Sequence, residues 1–248
     1  MELWFNSEPV RLDEGEVRVG LDFVRRCLAP IGARGYRTEW VIFGEEENIA
    51  GCIDLAVTLP SGDLYLVDWK RSEKLASKMT GRDKMNKPLQ HLEDCSGCAY
   101  ALQLGCYQYV LEKYYGKRIV GRALASIHPT APFTTAVPYL KDEVEFLMAR
   151  RRAMNRARDL LSGLSEHRHL LCAKSGRLVM DAVRTEDGTL YDAKTAQLHE
   201  IHAVPCTRTT QEARELLEAN MPSVPIATKL NKWRDVFVST DDLLFYSR

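Results

Sequence analysis

Between residues 36 and 70 the apolar positions fall into short runs separated by turn residues. Tyr36 to Phe43 is one strand-like run, and Glu45-Glu46-Glu47-Asn48 turns the chain into Ile49-Ala50-Gly51. Ile53 to Leu59 and Leu64 to Val67 then flank Pro60-Ser61-Gly62-Asp63, a turn cluster between β-rich segments that predicts a hairpin. Three sequential strands joined by tight turns form an antiparallel meander. Upstream, residues 1–15 are polar, and Glu16 to Leu28 has helical spacing that Pro30 stops. Residues 71–98 are polar and loop-rich, with a short helix expected over Pro88 to Glu93. Tyr100 to Tyr115 predicts a long helix ended by Gly116, and Ile119 to His128 a buried strand. Pro129 to Pro138 reads as a loop or edge strand, and Tyr139 to Leu161 as a second long helix.

Ser162-Gly163 marks the expected boundary. Residues 1–162 then form an α/β (α+β) core, a mixed central sheet flanked by helices, and 163–248 a smaller α+β module. The module has short strands near Leu178-Val179-Met180, a turn at Asp187-Gly188 and a helix from Gln211 to Ala219.

Charge narrows the picture only locally. The 34 basic residues are balanced by 34 acidic ones, so no global field draws the chain to nucleic acid. No apolar run approaches the roughly 20 residues of a membrane span, and the first residues lack the order of a signal peptide. The seven cysteines have no framework spacing, which fits a reduced, intracellular setting. Cys95 and Cys98 form a CxxC that no second CxxC accompanies, a poor basis for a zinc or iron–sulfur site.

The second hairpin strand ends in a charged pair where a buried strand should stay apolar. With period-2 alternation Asp68 and Lys70 share one face and Trp69 takes the other, while Asp54 on the preceding strand is close enough to join them. Two carboxylates and a lysine at one sheet edge suit a divalent cation and a water to be activated. The ordered set Glu39, Gly51-x-x-Asp54, Asp68-Trp69-Lys70 and Gln103-x-x-x-Tyr107 resembles the PD-(D/E)XK nuclease superfamily, in particular its RecB-like branch, over residues 36–150. The resemblance implies a restriction-endonuclease-like core and exonuclease-like hydrolysis of DNA with Mg²⁺ or Mn²⁺. Asp54, Asp68, the Trp69 carbonyl and Glu39 would serve the metal, and Lys70 the attack site. It further implies that Gln103 and Tyr107, four apart on one helix face, look onto the DNA. Arg71 and Lys74 open a basic run that continues through Lys78, Arg82, Lys84 and Lys87 and suits phosphate contacts. Arg150 to Arg158 is a second basic patch, of the kind that is usually a solvated helix face.

Leu171 to Val183, Asp187-Gly188-Thr-Leu-Tyr191 and Pro205-Cys-Thr resemble a U-box, the zinc-free relative of the RING domain, over about 170–233. The resemblance implies a protein partner and, in family members, ubiquitin transfer. Here Ala173 replaces the usual proline, Lys174 stands where an apolar contact is expected, and Asp181-Ala182-Val183 departs from Asp-Pro-Val. Four of the six histidines offer a zinc alternative, as His167, His169 with Cys172 and His199, His202 with Cys206, in a spacing that matches no specific pattern. A ubiquitin ligase, or a non-catalytic DNA-binding protein that keeps the nuclease fold as a platform, is the competing function. No phosphate loop, HExxH or GxSxG motif is present.

Overall fold

The computed structural model describes residues 5–6, 15–86 and 88–222. The chain divides into two compact units, one built on residues 15–45 and 49–146, the other on 46–48 and 147–222. The division falls between Phe146 and Leu147, inside the second long helix, rather than at the Ser162-Gly163 pair.

In the first unit the meander is β1 (Arg34–Gly44), β2 (Ile49–Thr58) and β3 (Leu64–Lys70). It pairs antiparallel, Trp40 opposite Ile53 and Leu55 opposite Val67. Gly62, at φ 84°, supplies the left-handed turn between β2 and β3. β4 (Ile119–Ser126) then lies parallel to β3, and β5 (Phe133–Ala136) runs antiparallel to β4 at the edge. The result is a five-stranded mixed sheet. A parallel neighbour needs a long crossover, and residues 71–118 provide it.

That crossover contains the first long helix. Before it comes α1 (Gly15–Phe23), whose continuation Val24–Leu28 widens to a π-turn and ends at a 3₁₀ turn over Ala29–Ile31. The predicted helix over 16–28 thus occupies its span without keeping α geometry throughout, and Pro30, lacking an N–H, closes it. The long helix α2 (Ser96–Tyr115) starts four residues earlier than its apolar spacing shows, because Cys95 caps it by accepting the Cys98 N–H. Gly116, at φ 61°, ends it. The expected helix over Pro88 to Glu93 does not form. Lys84 bridges Glu93, and Met85 N–H reaches Leu92 O, which folds the segment back on itself with Leu89 and Leu92 buried.

Phe23, Leu28, Leu55, Val57, Val67 and Ala125 form one apolar cluster, against which Trp69 packs, edge-on to Phe23. Lys70 faces the other way and sets its ammonium over the Tyr100 ring of α2. The alternation expected from the strand period is realised.

The second long helix, α3 (Lys141–Ser162), leads into the second unit, followed by a 3₁₀ turn over Ser165–Leu170. There β6 (Ala182–Arg184), β7 (Leu190–Asp192) and β8 (Val204–Pro205) form a small sheet in the order β7-β6-β8, with α4 (Ala193–Leu198) and α5 (Thr207–Asn220). The strand expected at Leu178–Met180 reduces to a single bridge from Leu171 to Leu178; the ladder proper begins at Ala182. Leu161, Leu170, Leu178, Val179, Ala213 and Leu217 fill the core. Asp192 accepts from Met180 N–H and Lys194 N–H and lies 3.4 Å from Arg158. Four arginines of the α3 patch, Arg150, Arg151, Arg152 and Arg158, are engaged in such contacts. Arg151 donates to Glu47 O, Arg152 pairs with the buried Glu47 carboxylate at 2.5 Å, and Arg150 faces Glu218. The last part of the U-box resemblance, 223–233, lies outside the described residues.

Candidate active site

β2 and β3 are laddered from Leu55–Val67 to Thr58–Leu64 and part company just beyond, at Asp54 and Asp68. β3 stays paired with β4 as far as Lys70–Ser126. The opening is bridged by a side chain: Trp69 N–H donates to Asp54 Oδ2 at 2.8 Å. Asp68 is 3% exposed, and its Oδ2 lies 2.5 Å from Lys70 Nζ. Apart from that ammonium, no group among the described residues donates to this oxygen. Burial pushes the Asp68 carboxyl up to about 6, against the pull of Lys70 and with the help of the Asp54 charge. Asp54 is raised too, mainly by burial and partly by Glu39, while the Trp69 N–H and Lys70 work against the rise. Burial alone would lower Lys70, but Asp68, Asp54 and the Tyr100 ring lift it above its ordinary value, so it stays a cation.

Glu39 falls between the Thr38–Leu55 and Trp40–Ile53 pairs, opposite Asp54. Its φ is 43°, a left-handed conformation that costs a non-glycine residue on the order of 1–3 kcal/mol. Its Oε2 accepts from Cys52 Sγ at 3.3 Å. The strained residue carries an exposed carboxylate whose charge acts on Asp54.

On α2, Gln103 Nε2 donates to the Tyr107 hydroxyl at 2.8 Å. The Tyr107 ring lies on the backbone of Gly51, where a Cβ would come within 2.3 Å of its Cε1. Both residues therefore share one helix face beside β2, as the i, i+4 spacing predicts. Tyr100 completes that face at i−3 from Gln103 and i−7 from Tyr107. Sequence reasoning overlooked it, although the same spacing carried the signal. Of the basic pair after β3, Arg71 is ion-paired with Glu16 rather than open to a ligand, while Lys74 is exposed.

The chemistry of this donor set suits a small hard cation in part. Among the described residues no three His, Cys, Asp or Glu side chains gather to hold a metal. Mg²⁺ commonly takes one or two carboxylates and keeps several waters. Asp54 and Asp68 meet that need, Asp54 through the oxygen not bonded to the Trp69 N–H and Asp68 as a buried carboxylate paired with Lys70. Glu39 is bonded to Cys52 instead. The histidines and cysteines of the second unit form no such group either; His169 Nε2 is 3.0 Å from Glu212 and His167 is beside Glu166. No helix among the described residues is long and apolar enough to cross a membrane. No family model matches the chain, and no curated protein matches it.

Proposed function

We propose that the first unit is a metal-dependent deoxyribonuclease of the PD-(D/E)XK kind, RecB-like and exonuclease-like in its action. The observation that supports this reading best is the meeting of Asp54, Asp68 and Lys70 where β2 and β3 separate, with the buried Asp68 carboxylate held against the Lys70 ammonium. Mg²⁺ or Mn²⁺ would be held by Asp54 and Asp68, with the Trp69 carbonyl and, from further off, Glu39. Bound there, the ion supplies Lewis acidity, acidifying water and drawing charge from the phosphate.

The chain's own residues do the rest. The Trp69 N–H fixes the Asp54 rotamer through one oxygen and leaves the other uncommitted. Lys70, kept protonated by its carboxylate neighbours, is a hydrogen-bond donor to the non-bridging phosphate oxygens and to the charge that develops as water forms a P–O bond and the ester P–O bond breaks. It is not the general base. Tyr100 backs the ammonium with its ring face. Gln103 and Tyr107 position the DNA strand along α2.

The test is incubation of linear and circular DNA, single- and double-stranded, with Mg²⁺, Mn²⁺ or Ca²⁺. Cleavage that needs Mg²⁺ or Mn²⁺, stops with EDTA, and falls at least about 100-fold in Lys70→Ala is the expected result, the scale of losing one preorganised donor. Robust cleavage by a folded Asp68→Asn variant would overturn the reading. The order of turn, hairpin, helix and second turn in the second unit favours a U-box-like module there. Its exposed Lys174, in place of an apolar contact, argues for protein docking without ubiquitin transfer.

A further inference from the structure

The second unit holds a cavity of about 720 Å³, within the roughly 300–1,000 Å³ of small-ligand sites. Three arginines line it, Arg168 from the 3₁₀ turn, Arg184 from β6 and Arg208 from α5. The one carboxylate in the lining, Glu212, is held by His169 Nε2. Arg184 gives one N–H to Gly188 O. Arg168 and Arg208 have no ion pair or side-chain hydrogen bond among the described residues. α5 begins at Thr207, which puts Arg208 and Thr209 in its first turn, where backbone N–H groups and the helix dipole favour negative charge. The remaining lining is mixed, with His169 and Thr209 beside Leu171 and the buried core residues Leu170 and Leu190.

Three guanidiniums against one carboxylate make a cationic rim, and planar guanidinium is suited to bidentate contact with phosphate oxygens. We infer that this cavity is a phosphate-binding site, in which Arg168, Arg184 and Arg208 hold the phosphate group. That phosphate is borne by either a free mononucleotide or the phosphorylated end of a polynucleotide strand. The site is separate from the carboxylates of the first unit and does not depend on their function.

Calorimetry on the full chain in EDTA tests this, with AMP, inorganic pyrophosphate and a 5′-phosphorylated oligothymidylate beside its hydroxyl-ended twin, all at matched ionic strength. Arg168→Gln and Arg208→Gln, both surface changes checked by circular dichroism, are each expected to weaken binding about tenfold, the size of one lost charge-assisted hydrogen bond. Lys194→Gln, outside the cavity, leaves it unchanged. Sensitivity seen with AMP identifies a free nucleotide. Sensitivity confined to the 5′-phosphorylated strand identifies a polynucleotide end. Absence of binding by every probe, or binding that both arginine variants leave intact, overturns the assignment.

Discussion

At Asp68 the requirements of stability and of chemistry oppose each other. Its side chain is 4% exposed, and burial raises its carboxyl from 3.8 to about 6. Above that value the folded protein carries a charge that the unfolded chain would solvate better. Between the two values the folded state binds the extra proton, so stability falls as pH rises through this window and levels off beyond it. The cost at neutral pH is on the order of 1–3 kcal/mol, from a shift of roughly two units that the coupled Lys70 partly offsets. Asp68→Asn is therefore expected to melt above wild type at pH 8 in EDTA and close to it at pH 4, while cleaving nothing. Scanning calorimetry at the two pH values checks it. An equal or lower melting temperature at pH 8 would mean that the ammonium already compensates the carboxylate. Glu39 gives a second residue-scale prediction. Glycine at φ 43° relieves the backbone whereas alanine does not. Glu39→Gly should thus be more stable than Glu39→Ala by about 1 kcal/mol, with both equally impaired in cleavage. Equal denaturation midpoints for the pair would remove strain from the account of this site.

Among the elements, the contact between α2 and β2 is the tightest control on the site. An alanine methyl at position 51 would sit 2.3 Å from the Tyr107 ring, so Gly51→Ala must displace the ring and break its bond with Gln103. Overpacking of this kind costs about 1–3 kcal/mol. The expected outcome is a drop of that size in urea unfolding, accompanied by weaker DNA binding. Truncating the ring in Gly51→Ala/Tyr107→Leu should restore the stability but not the DNA binding. This contact also shows what the chain alone discloses. The meander was legible because its turns carry Gly, Pro and Asp between alternating residues, and the Asp68/Trp69/Lys70 split followed from the strand period. The i, i+4 pairing of Gln103 and Tyr107 followed from the helix period. The ring of Tyr107 on Gly51 did not, because it joins residues distant in sequence through the absence of a side chain. The positive φ at Glu39 has no compositional mark either. The segment over Pro88 to Glu93 looks helical by local spacing, yet backbone bonds from 83–85 to 92–94 override it. Arg150, Arg151, Arg152 and Arg158 of α3 read in sequence as a solvated basic face, and only their partners Glu47, Asp192 and Glu218 reveal them as structural.

For the whole molecule, the even balance of charge makes DNA affinity a matter of a few residues. With 34 cations against 34 anions there is no net field to exploit. Arg150, Arg152 and Arg158 are spent on carboxylates within the second unit. The segment after β3 retains Lys74, Lys78, Arg82 and Lys84 as exposed cations, with no ion pair among the described residues. Each phosphate contact to a single strand contributes about −0.7 to the slope of log K against log salt. Three or four such contacts give a slope of about −2 to −3, far shallower than that of a strongly basic DNA-binding protein. Fluorescence anisotropy with a single-stranded oligonucleotide in EDTA measures it. Lys74→Gln is expected to make the slope shallower by about 0.7 at unchanged stability. Arg158→Gln should leave the slope alone and lower the unfolding free energy by about 1–3 kcal/mol, because the buried Asp192 loses its guanidinium partner and keeps only the Met180 and Lys194 N–H groups. A slope that responded to Arg158 rather than to Lys74 would place the electrostatic grip on α3, and the cations following β3 would then be an ordinary solvated surface.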